Sequence, residues 1–169
     1  MKQFIIIILV TLTFCSCKES IKNNRVEGEI YIKLIDVRKI ISQLPDKDLK
    51  KIKQNALEDN QSNLSVSEKK SNEYFKILIN NNLLEKPFFK LKLNSGKIIN
   101  VYTTETNIRK INNLINDLDK ENERISVIFE GYKVSNGVFD DDGIFDQPIY
   151  VANKIITSEK SKGKTEWKK

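Results

Sequence analysis

The chain contains no histidine, and its only two cysteines, Cys15 and Cys17, both stand near the front. Without imidazole the sequence lacks the side chain whose ordinary pKa lies near neutrality. A Ser-His-Asp triad, a Cys-His pair and a His-ligated metal are therefore excluded for it. With no cysteine after Cys17, no disulfide braces the body and no thiolate cluster holds a metal there. No phosphate-binding glycine loop, no Gly-x-Ser-x-Gly elbow and no supported pair of acids occurs either. Serine and lysine are plentiful, but nothing singles out a Ser-Lys pair, so no catalytic residue is assigned.

What is present fits a folded domain. The 169 residues are 39% hydrophobic and 31% charged, proportions of a globular chain rather than a disordered one. That length holds one ordinary domain with a real core. Lys and Arg number 29 against 23 Asp and Glu, a net +6. Residues 158–169 carry five Lys against two Glu, so this segment alone is +3. Such a balance serves solubility, or attraction to anionic lipid heads or nucleic acid.

The front of the chain has a distinct pattern. One basic residue, Lys2, precedes an apolar run of about eleven residues, FIIIILVTLTF. As a helix that run spans roughly 16 Å, about half the hydrocarbon core of a bilayer, which is the length of a signal-peptide core. Phe14-Cys15-Ser16-Cys17 follows. This resembles the lipobox of bacterial lipoproteins, in which a small residue precedes the cysteine that receives lipid. With Cys17 as the modified residue, Ser16 fills the small position and Phe14 stands where Leu is usual. With Cys15 instead, the ring of Phe14 would block the peptidase. The resemblance implies a signal peptide over residues 1–16 and covalent diacylglycerol plus an N-acyl lipid on Cys17, with no other cofactor. It implies a lipoprotein of the cell envelope whose membrane partner is reached through that anchor. Lys18-Glu19 are similar to the residues that follow the cysteine in lipoproteins of the Bacteroidetes group, which implies the outer membrane. Two acyl chains anchor stably, at about 0.8 kcal/mol per buried CH₂.

Residues 17–25 read as a polar tether. Residues 26–37, VEGEIYIKLIDV, read as a strand that Gly28 breaks early. Residues 38–86 read as a helical insertion: Asp46 caps a helix over 47–57, and Ser67 caps a second over 68–80. Residues 88–93 and 97–103 alternate around Asn94-Ser95-Gly96, a hairpin whose Gly96 supplies positive φ. Thr106 or Asn107 caps a helix to about Leu118, with Ile108, Ile111, Leu114, Ile115 and Leu118 on one stripe. Strands follow over 124–134 and 148–157. Residues 158–169 read as a basic, frayed tail; Trp167 there either touches a membrane interface or frays with the rest.

The predicted class is α+β, with residues 26–157 forming a single domain. The element order resembles an OB-fold: a curved antiparallel five-stranded barrel with one helix between strands 3 and 4, here with a helical insertion between strands 1 and 2. OB-folds bind oligonucleotides or oligosaccharides on strands two and three, and many are plain scaffolds. That face here would carry Phe88, Lys90, Lys92 and Tyr102, with Ile98 and Asn100. Lysines beside aromatic rings suit stacking with phosphate contact; they also suit the polar half of an ordinary strand. A lipid-tethered envelope protein rarely meets nucleic acid, which weighs against that ligand.

One acidic cluster stands out, FDDDGIFDQP. With Gly143 at the sixth position of a calcium loop, Asp140 and Asp142 fit, but Val138 and Ile149 occupy the first and twelfth. Asp140, Asp142 and Asp146 therefore form either a weak cation loop or a solvated hairpin loop. Three functions remain open: a non-enzymatic binding or interaction module with an envelope protein partner, an envelope hydrolase or lipid-processing enzyme, and an immunity or inhibitor lipoprotein.

Overall fold

The computed structural model describes residues 24–33, 45–58, 63–138 and 147–168. Cys17, Asp140, Asp142 and Asp146 lie outside them. Strand β1 (Asn24–Ile30) is followed by the two-residue β2 (Ile32–Lys33). Helices α1 (Asp46–Leu57) and α2 (Val66–Asn80) come next, then β3 (Phe88–Leu93) and β4 (Ile98–Tyr102). Helix α3 (Glu105–Asn116) leads to the long strands β5 (Glu123–Ser135) and β6 (Ile149–Lys162), and β7 (Trp167–Lys168) ends the described chain. The protein is α+β, with three helices among the described residues.

Five strands hydrogen-bond in the order β1-β3-β4-β6-β5, and β5 pairs back to β1, so the sheet closes into a ring. All neighbours are antiparallel except β4 and β6. Alternation turns Phe89 and Leu91 of β3, Ile99 and Val101 of β4, and Ile125, Val127 and Phe129 of β5 into the ring. Helix α3 joins the end of β4 to the start of β5. Its buried Ile108 and Ile111 enter the same core, with Leu114, Ile115 and Leu118 packed behind them. The helix thus closes one end of the ring.

Gly28 does not break the first strand. It lies within β1, opposite Leu93, and a Cβ there would stand 2.7 Å from the carbonyl oxygen of Lys92. Only glycine lets the two backbones approach so closely. Gly96 sits in the β3–β4 turn with φ 82°, where positive φ favours glycine.

The helix starts differ from the sequence expectation. Pro45, not Asp46, occupies the N-cap of α1. Its carbonyl accepts from the amides of Asp48 and Leu49 at 2.8 and 3.1 Å, while Asp46 and Asp48 place negative charge in the first turn, where the helix dipole favours it. Ser65, not Ser67, caps α2 through a reciprocal box. The Ser65 amide donates to Glu68 Oε2 at 2.8 Å and the Glu68 amide donates to Ser65 Oγ at 3.3 Å. Ser65 has an acid three residues on and Ser67 has Lys70, so only the former completes the box. Thr104, not Thr106 or Asn107, caps α3, accepting from the Asn107 amide at 3.3 Å.

The end of the chain differs most. Strand β6 continues to Lys162, pairing Ser158 with Val127 and Lys162 with Glu123. Beyond it, the amides of Gly163 and Thr165 donate to the carbonyls of Asn122 and Lys120, each at 2.9 Å. Thr165 is fully buried and its hydroxyl donates to the Glu123 carbonyl. Parallel pairing of β7 with β2 completes a strap over the start of β5. Charged residues paired on one edge and exposed on the other read as a polar tail in sequence, yet here they are strand.

Candidate functional site

Phe88, Lys90 and Lys92 share the outer face of β3, and the register sets them opposite Tyr102, Asn100 and Ile98 of β4. The structure therefore brings the four face residues together on adjacent strands. Their surroundings are not those of an open binding face, because helix α2 lies against part of it. Tyr74 and Leu78 of α2, with Leu83 and Leu84 after it, pack with Tyr102, Ile149 and Val151 into a second core outside the ring.

The aromatic pair belongs to that second core. The rings of Phe88 and Tyr102 stack with centroids 5.2 Å apart and planes at 29°, and Tyr102 is only 3% exposed. The Tyr102 and Tyr74 hydroxyls share a hydrogen bond of 3.2 Å. Burial pushes the Tyr102 hydroxyl well above the usual tyrosine range, and the neighbouring Tyr74 adds to the shift. Burial raises Tyr74 as well, against the opposing effect of that hydrogen bond. Both phenols stay neutral and tie the helix to the ring.

The lysines have different roles. Lys90 is 8% exposed, and its ammonium donates to Gln147 Oε1. Asn100 beside it is 3% exposed, and its Oδ1 has no hydrogen-bond partner among the described residues. The backbone N–H of Asn100 donates to the Pro148 carbonyl at 2.9 Å, fixing the start of β6. Lys92 is half-buried and pairs with Glu166 of the strap at 2.5 Å. Arg124 of β5 pairs with Glu29 of β1 at 2.6 Å nearby. Alternation located all four face residues. Tyr74, Gln147 and Glu166, which occupy them, left no local signal, because each arrives from a distant segment.

The described residues line two clefts that are open to solvent. One of about 250 Å³ is lined by Lys53, Ile79, Asn82, Leu84 and Glu85, with Lys53 Nζ 3.1 Å from Glu85 Oε1. The other, about 230 Å³, lies where the β3–β4 turn meets the start of β6, lined by Gly96, Lys97, Ile98, Gln147 and Pro148. The exposed large apolar side chains among the described residues are Leu57, at 48%, and Val66, at 67%. They flank the connection between α1 and α2. No described helix is long and apolar enough to cross a membrane.

No protein-family model, no curated protein and no solved structure matches the chain.

Proposed function

We propose that the protein is a lipid-anchored lipoprotein of the bacterial cell envelope, held at the outer membrane through Cys17, and that its folded body is a non-enzymatic interaction module. The observation that carries the reading is the placement of both cysteines, and no others, at the junction behind a short apolar run, with Ser16 just before Cys17. The body in this reading is an OB-like barrel with a helical insertion. The ring order β1-β3-β4-β6-β5, the parallel β4–β6 pair and the position of α3 support it. Its stacking face is committed to packing against α2. The contact with an envelope protein partner is therefore assigned to the insertion, where Leu57 and Val66 are exposed.

Membrane fractionation of the full chain and of Cys17→Ala tests the anchor. The parent protein is expected in the carbonate-washed membrane pellet, with an N-terminal peptide carrying lipid mass on Cys17. Cys17→Ala is expected in the soluble fraction, folded. A Cys17→Ala protein that stays in the washed pellet refutes the proposal.

A further inference from the structure

We infer that the rim of the ring formed by the β3–β4 turn, the end of β5 and the start of β6 is the surface laid against phospholipid headgroups; this rests on the lipid-anchor reading above. Chain length and strand direction set this orientation. Residues 18–23 separate Cys17 from Asn24, the first residue of β1. Seven Cα steps reach at most about 25 Å. Asn24 pairs with Gly131, so the last residues of β5, with Lys133 and Ser135, extend past it. Leu93 stands opposite Gly28, and the chain beyond Leu93 turns on the Asn24 side. Ile149 pairs with Ser135 and starts β6 at this same end.

Helix α3 lies at the other end. The 7 residues of β1 cover about 23 Å, and the helix adds about 10 Å beyond. Turning α3 towards the bilayer would need a span of about 33 Å, beyond the reach of six residues even at full stretch. The rim therefore faces the lipid and the exposed side of α3 faces away. The rim is suited to headgroups. Lys97 and Lys133 are exposed there, and residues 93–98, 133–138 and 147–149 contain no acid. Lys97 also lines the 230 Å³ cleft. Residues 139–146, which join this rim outside the described residues, carry four Asp. The length of the tether therefore sets the orientation, and the two lysines supply only local phosphate contacts.

The test uses the full lipidated chain in vesicles of phosphatidylethanolamine and phosphatidylglycerol containing a headgroup nitroxide. A fluorophore is attached through Ser95→Cys on the turn or Asn112→Cys on α3, both at exposed positions. The Ser95→Cys label is expected to be quenched several-fold more strongly. Equal quenching, or stronger quenching at Asn112→Cys, overturns the orientation while flotation with the vesicles keeps the anchor. A chain that does not float overturns the anchor, and the orientation with it. In the Cys17→Ala background both labels are expected to escape quenching; persistent quenching of the Ser95→Cys label shows a lipid contact that the tether does not set, which also overturns the inference.

Discussion

Inside the ring the core is wholly apolar: Leu91, Ile99, Val101, Ile111, Ile125, Val127 and Phe129 are fully buried, with no hydroxyl or charge among them. Outside it, the core under α2 includes two tyrosines whose hydroxyls must pair. The inner core draws on β1, β3, β4, α3, β5 and β6, so closing the ring and burying the core are one event. The outer core is supplied by α2 and the turn after it, laid on a sheet face that is already closed. Burial of a polar group demands a partner. The tyrosine pair therefore gives the outer contact a specified geometry, whereas the inner core relies on shape and area.

The largest effect is expected from Phe129→Ala, a loss of about 3–5 kcal/mol, read as a lower urea midpoint with all elements unfolding together. Leu78→Ala in the outer core should cost about 2–4 kcal/mol. Its amide exchange should quicken first in α1 and α2 while the ring strands stay protected. Simultaneous loss of protection in ring and helices would erase the distinction between the two cores. Deleting residues 163–169 removes the backbone hydrogen bonds of Gly163 and Thr165, the Thr165 hydroxyl contact, the β2–β7 pairing and the Lys92–Glu166 ion pair, and should cost at least about 2 kcal/mol at roughly 0.5–1.5 per bond; an unchanged melting temperature would show the strap to be idle.

A smaller effect, about 1 kcal/mol, is expected for Tyr102→Phe at neutral pH. Its pH dependence sharpens the contrast further. Tyr74 and Tyr102 both have raised folded pKa values, while the unfolded chain ionises them near about 10. Their contribution is present in full below that pH and is lost as pH rises beyond it, because the unfolded state then binds fewer protons. The parent should lose stability steeply above about pH 10, and the double variant Tyr74→Phe/Tyr102→Phe should lose less. The smallest change is expected at the exposed Lys53–Glu85 pair: Glu85→Gln should shift stability by about 0.5 kcal/mol or less, within the scatter of a denaturation series.

Much of the ring was legible because its signals are local. The β3–β4 hairpin announces itself by alternation on both sides of Asn94-Ser95-Gly96, and the stripe from Ile108 to Leu118 marks the face of α3 that enters the core. The helix starts were misplaced by one to three residues, because several hydroxyl and acid residues compete at each. Only the residue three positions on decides between Ser65 and Ser67. Lys90 was expected on a wet face because lysine usually takes the solvent half of an alternating strand. It is buried because its surroundings come from remote segments, Gln147 among them. The strap was missed for a similar reason: residues 158–168 have no apolar period, and their order comes from backbone pairing with β5, the 120–123 turn and β2. The candidate face was found as a set of positions, while what covers it comes from the insertion over Phe88 and Tyr102, from Gln147 beside Lys90 and from Glu166 beside Lys92.

Strand β6 stands between β4 and β5 in the ring, yet it is the last of the five to be synthesised. A nascent chain that has not reached residues 149–162 leaves one edge of β4 and one edge of β5 unpaired, and no subset of the earlier strands can close on itself. The β2–β7 pair then joins the beginning of the body to its end. Completion of the ring thus waits for residues 149–168, and contacts so distant in sequence form slowly.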